Sequence, residues 1–153
     1  AHETGTTSPE YSDPVEFFRR TFLTAGLKDL LTQAANRVAG GAAAAPVINL
    51  QTTFGGGKTH SMLAVWHLFS AVTAAELPQE VQEILHSAGL ADRDRTIRRV
   101  AVIGNEIAAG QARQRDGRTG RTLWGEIARQ LGGKAAFDLL AESDANSTSF
   151  APA

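Results

Sequence analysis

The sequence predicts a three-layer α/β domain, incomplete in its sheet and preceded by a helical segment. Three observations predict it. Two short apolar runs rich in β-branched residues, "PVINL" at 46–50 and "RRVAVIG" at 98–104, have the length and composition of strands. Around them lie stretches whose apolar residues recur every three or four positions, the period of helices with one buried face. The first run is joined to such a stretch by "QTTFGGGKTH", residues 51–60, which carries three consecutive glycines. Helices alternating with strands are the pattern of layered α/β proteins, and no internal repeat competes with it.

Composition bounds what such a domain can do. With 153 residues, 42% apolar and 20% charged, the chain has enough material for one domain with a core. A formal net charge of -1 supplies no global field for nucleic acid or anionic membrane, so either partner would need a local patch. The absence of cysteine excludes disulfides, thiolate metal sites and a thiol nucleophile, and fits an intracellular protein. No apolar run reaches membrane-spanning length, and the polar start "AHETGTTSPEYSD" lacks the apolar stretch of a signal peptide. The expectation is a cytoplasmic protein with no membrane partner. Because the chain starts at Ala1 and ends in the polar run "ESDANSTSFAPA", it reads as a fragment, although disordered tails have the same composition.

In order, residues 1–12 read as linker or disordered, and 13–41 as the helical segment. Asp13 suits an N-cap, Pro14 the first helical position and Glu16 the third, a capping-box arrangement. Leu27, Leu30, Leu31, Ala34, Ala35 and Val38 continue an amphipathic pattern that stops at Gly40 and Gly41. Gly26 decides whether one kinked helix or two covers Val15 to Val38. After the first strand, residues 58–72 place Met62, Leu63, Trp66, Leu68, Phe69 and Val72 on a broad apolar face. Pro78 opens a further helix with Val81, Ile84 and Leu85 on one side and Gly89 near its end. Beyond the second strand, Thr122 caps a helix ending at Gly132 and Gly133, and a last short helix covers "KAAFDLLAE". The main domain thus spans 46–141, and 142–153 is a linker or truncated end.

The glycine segment reads as a phosphate-binding loop. Successive backbone N–H groups can curl around phosphate oxygens where glycines permit positive φ and leave room for the anion. Gly55, Gly56 and Gly57 meet that need. Lys58 would neutralise phosphate charge, the Thr59 hydroxyl would ligate Mg2+, and the following helix would aim its positive end at the anion. Thr53, Phe54 and His60 complete the segment around the phosphates. The signature G-x-x-x-x-G-K-[ST] is met except at its first position, which is Thr52. The plainer alternative is a glycine-rich loop that happens to precede Lys-Thr. A strand before it and a helix after it favour the phosphate reading, and so a P-loop NTPase-type domain.

Together "DPVEFFRRTFLTAGLKDLL", "PVINLQTTFGGGKTHSMLAVWHLF", "RRVAVIGNEIAAG" and "RTLWGEIARQLGG" resemble the N-terminal part of the domain of unknown function 499 family. The likeness covers nearly the whole chain from Asp13, and the F-G-G-G-K-T-H-S form with threonine at the first position is itself typical of those proteins. The resemblance implies a large AAA+-like P-loop ATPase that uses ATP and Mg2+, of a kind encoded beside DNA methyltransferases and helicases in phage-defence clusters. DNA or defence-system proteins, met through the remainder of a longer chain, are the partners it implies. Self-association is a further expectation.

An ATPase also needs an acidic residue after an apolar strand, to hold magnesium through water, and commonly a glutamate to orient the attacking water. No four-residue apolar run followed by Asp-Glu occurs in this sequence. The resemblance places that strand shortly after 142–153, so the chain is expected to bind nucleotide weakly and hydrolyse it poorly. If the two strands belong to an AAA+-like sheet they are not neighbours in it, and an imperfect core is expected. Glu106, just past the second strand, is the candidate catalytic base beside Lys58, and Asn105 a candidate γ-phosphate sensor. Each has the plainer reading of a loop residue.

Arg113, Arg115, Arg118 and Arg121 could contact DNA phosphates or serve as an arginine finger. Solvated loop arginines, partly offset by Asp116, are the commoner case. His60 and His67 share a helix face but lack a third metal ligand, so packed or exposed histidines are expected. Trp66 and Trp124 read as packing residues, and Glu126 receives no chemical task. Two classes remain: the nucleotide-binding part of an ATPase, and a non-catalytic module that binds an anion or protein.

Overall fold

The structure, a computed structural model, describes residues 8–51, 57–91, 97–103, 113–115, 118–120 and 122–146. The chain divides into two compact units, Ala1–Ile97 and Arg98–Ala153.

The first unit is helical. It comprises α1 (Pro9–Ser12), α2 (Pro14–Arg20), α3 (Ala25–Val38), α4 (Lys58–Leu68), a 3-10 turn (Ala74–Glu76) and α5 (Gln79–Ser87). Asp13 caps α2 as its sequence position predicts, accepting from the Glu16 N–H at 2.8 Å with Pro14 in the first turn. The region from Val15 to Val38 is two helices, and the break falls at Thr21–Thr24 rather than at Gly26. Thr24 adopts extended backbone there and caps α3 by accepting from the Leu27 N–H at 3.2 Å.

Glycine ends two of these helices by the same geometry. Gly40 sits at φ 92° after α3, with Gly41 N–H bonded to Asn36 O at 2.9 Å. Gly89 sits at φ 69° after α5, with Leu90 N–H bonded to Leu85 O at 2.8 Å. Both bonds close a Schellman motif, which needs a left-handed residue that glycine adopts at little cost. Leu90 is buried, so the second motif also anchors the chain apolarly.

The core of this unit lies where α3 packs against α4 and α5 and where α2 meets α4. Its centre includes Phe17, Leu31, Leu68, Val81 and Leu85, all nearly inaccessible. The predicted pattern of α3 is confirmed at Leu27, Leu30, Leu31, Ala34 and Ala35, whereas Val38 is exposed. The predicted apolar face of α4 is met in part: Leu68 and Phe69 are buried and Leu63 and Val72 pack partly buried against the core, whereas Met62 is 60% exposed and the inner side also carries Ala64 and His67.

The second unit holds an antiparallel hairpin, β1 (Arg113–Arg115) with β2 (Arg118–Gly120), followed by α6 (Leu123–Ala145). Thr122 caps α6, accepting from the Gly125 N–H at 3.0 Å. As Gly132 and Gly133 predict, α6 is two helices joined at a kink, with Gly133 at φ 59°. Its second half reaches Ala145, past the expected boundary at 141.

The three-layer α/β P-loop NTPase-type fold expected from the sequence is not the fold of the described residues. Their only sheet is the hairpin of two three-residue strands, and neither apolar run is a strand. At 46–50, Val47 is 78% exposed and Ile48 is also accessible, whereas a central parallel strand requires cover on both faces. At 98–103, Gln130 takes the place of a strand partner. Its carboxamide nitrogen donates to Ala101 O at 2.9 Å, and its oxygen accepts from the Ala101 N–H at 3.0 Å. A side chain thereby satisfies the backbone groups of Ala101 that a sheet ladder would otherwise use.

Candidate functional site

The candidate site is the start of α4. Gly57 is its N-cap at φ 73° and accepts from the Ser61 N–H at 2.9 Å. Glycine brings no side-chain acceptor to cap the first turn, and a Cβ built on Gly57 would meet nothing within 4 Å. The open space is therefore compatible with an approaching anion, while the backbone angle disfavours any other residue. Lys58 and Thr59 follow in the first turn, both exposed. Among the expected phosphate-loop residues, Thr53, Phe54, Gly55 and Gly56 lie outside the described residues. Glu106 and Asn105 lie outside them too, as do Arg121 and Asp116. For Arg113, Arg115 and Arg118 the backbone strands are described and the side chains are not.

His60 turns inward. Its ring stacks obliquely on Phe17 with centroids 4.7 Å apart, and its Nε2 lies 3.1 Å from Thr21 Oγ1. The Thr21 hydroxyl gives its single proton to Phe17 O at 2.7 Å, so it accepts from His60, and Nε2 carries the hydrogen. Two turns further along the same face, His67 is 4% exposed, packs on Phe17 at 4.8 Å and points Nε2 at Tyr11 O at 3.0 Å. A carbonyl can only accept, so this Nε2 also donates. Phe17, itself 1% exposed, is thus packed against both imidazoles and fastens α2 to α4.

Both Nε2 atoms are committed to hydrogen bonds within the fold. Of the packed or exposed states expected for them, both imidazoles take the packed one. The sequence reading did not identify Phe17 as the residue that unites them. The available signal was the spacing of His60 and His67 beside the aromatic pair "FF" on the preceding capped helix.

Trp124 is 57% exposed rather than a core residue. Glu126 is engaged locally, pairing with Arg129 at 2.9 Å and accepting from Gln130 at 2.6 Å. It therefore helps orient the carboxamide that holds Ala101. Among the described residues no helix is long and apolar enough to cross a membrane.

The fold and site define a helical domain in which a glycine-led helix start is buttressed from its inner side by a short capped helix. The family model described as the DUF499 N-terminal domain matches residues 3–152, and the chain belongs to the DUF499 family. Neither a curated protein nor a solved structure matches it.

Proposed function

We propose that the chain is the nucleotide-binding part of a cytoplasmic ATPase, taking the phosphates of Mg-ATP at the start of α4. In this reading the ATPase couples hydrolysis to a conformational change in a DNA-related or phage-defence system. The observation that carries the proposal is Gly57, held at positive φ as an N-cap with open space beside it, directly before exposed Lys58 and Thr59. The chemistry of these groups fits a magnesium-bound phosphate. First-turn N–H groups and the helix dipole favour an anion, the lysine ammonium neutralises charge, and the threonine hydroxyl suits magnesium. Gly55 and Gly56 support the same reading by sequence alone, and Glu106 remains its candidate for activating water. The proposal does not use the parallel sheet that the sequence had suggested.

Titration calorimetry of the chain with ATP, GTP and a non-hydrolysable ATP analogue, with and without magnesium, tests it. Magnesium-dependent binding that is lost in Lys58→Ala is expected. A folded chain that binds none of these nucleotides, or a variant that binds as well as the original, overturns the proposal. The second reading, a non-catalytic anion- or protein-binding module, draws support from the 46–50 run, which is not a strand among the described residues. It predicts anion binding indifferent to magnesium.

A further inference from the structure

We infer that the second half of α6 exchanges with that of a second copy of this chain, so that α6 straightens and Asp144 closes on the partner's Thr122. In the single chain α6 is a hairpin closed on itself. Thr122 and Asp144 are 22 residues apart, about 33 Å along a straight helix. Yet the Thr122 hydroxyl donates to Asp144 Oδ1 at 2.6 Å, and the Thr122 N–H does so at 2.8 Å. The reversal is made at two residues, Gly132 at φ -140°, ψ 15° and Gly133 at φ 59°, ψ -142°. Neither pair of angles is helical, and the second is one that residues with a side chain rarely adopt.

The two halves nevertheless keep one helical phase. Thr122, Gly125, Arg129, Gly133, Phe137 and Asp144 follow one another at intervals of three, four and seven, the spacing of one face of an unbroken helix. The same positions make the closure. A Cβ on Gly125 would stand 2.9 Å from Asp144 Cγ and 3.2 Å from Phe137 Cε2. A straightened α6 therefore carries both sides of its own closure as a single seam. That seam is complementary to itself when two copies run antiparallel. Gly133 is equally far in sequence from Thr122 and from Asp144, so a twofold axis at Gly133 sets each Thr122 beside an Asp144. Opening alone would strip cover from Phe137, 8% exposed, and from Asp144, 2% exposed. A second copy restores the same cover to both, and a short joint that can become helical makes such an exchange inexpensive.

The experiment follows the mass of the 153-residue chain in solution by size exclusion with light scattering. The original chain should form dimers in a fraction that rises with concentration. Gly132→Ala/Gly133→Ala should tighten dimerisation by about tenfold or more, since alanine favours the straight helix over glycine. Alanine also opposes the turn, where a Cβ on Gly132 would stand 2.6 Å from Ala136 Cβ. A Gly-Ser insertion between the two glycines, which eases the turn and breaks the phase of the seam, should abolish the dimer. Exchange is told from simple association by co-expressing Thr122→Ala and Asp144→Ala chains in the double-alanine background and counting species by native mass spectrometry. Among exchanged dimers only the mixed species restores a complete Thr122–Asp144 pair, so it should exceed random mixing. Random mixing, or a dimer that survives the insertion, overturns the inference. So does a chain that stays monomeric both in its original form and with the alanines. Circular dichroism shows whether the alanine chain keeps its helices; if it does not, the original chain and the insertion decide.

Discussion

Asp144 shows how closely a single position can be constrained in the second unit. It is 2% exposed, and its Oδ1 accepts from Thr122 N–H at 2.8 Å and from the Thr122 hydroxyl at 2.6 Å. The last turn of α6 is thereby tied to the cap of its own first turn. A Cβ added at Gly125 would stand 2.2 Å from that Oδ1 and 3.2 Å from Phe137 Cε2. The carboxylate could move only by giving up its Thr122 bonds in a buried place. Gly125→Ala should accordingly cost about 1–3 kcal/mol, the usual range for overpacking, read by urea unfolding followed at the amides of α6. An unchanged midpoint would show that Asp144 can step aside freely. In the first unit Phe17 is the corresponding position. Removing a fully buried ring that meets two imidazoles should cost about 3–5 kcal/mol in Phe17→Ala, measured by the loss of α3 and α4 helicity in denaturant.

Among the elements, those with local chemical signals were legible in the sequence. Asp13-Pro14, Thr122, the Gly40-Gly41 stop, Gly89 and the Gly132-Gly133 break act through bonds a few residues away, so the chain states them without knowing its fold. The runs at 46–50 and 98–103 were misread because β-branched composition reports only suitability for a half-buried pleated surface. Whether such a surface exists depends on distant partners, and at Ala101 that partner is the side chain of Gln130. The face of α4 was legible at Leu63, Leu68, Phe69 and Val72 but not at Met62, because two histidines hydrogen-bonded to Thr21 and Tyr11 share the inner side of the helix. At the site, the glycine-led helix start was legible, and the inward turn of His60 was not, because α2 supplies its acceptor.

The 3-10 turn also carries a pH dependence at this scale. The Glu76 carboxylate lies below its ordinary pKa, chiefly through the hydrogen bond from the Thr73 hydroxyl and next through that from the Thr73 N–H. A carboxylate lowered in the folded state adds stability that is complete above its unfolded pKa and is lost as the pH falls through the folded value. Side-chain carbon shifts followed by NMR should therefore place the Glu76 midpoint below that of an unstructured glutamate. Thr73→Ala should return it upward.

At the scale of the whole molecule, the two units differ in what holds them. The expectation of an imperfect core followed from a sheet lacking its neighbouring strands. The first unit instead closes a helical core with residues from Phe17 to Leu90, drawing on α2, α3, α4 and α5. In the second unit, Phe137 is the sole large apolar residue buried among those described, and Trp124, Leu131 and Leu139 on α6 are 57%, 40% and 81% exposed. Burial of apolar surface supplies most of the resistance to opening, so amide protection should follow it. Hydrogen exchange should find the amides of Leu30–Ala35 in α3 and Val81–Leu85 in α5 opening only with the first unit as a whole. The amides of α6 should exchange well before them at the same pH and temperature. Equal protection in α3 and α6 would mean that the bonds of Asp144 to Thr122 do for the second unit what apolar burial does for the first. Gly125→Ala would then abolish that protection along the whole of α6 rather than only near its two ends.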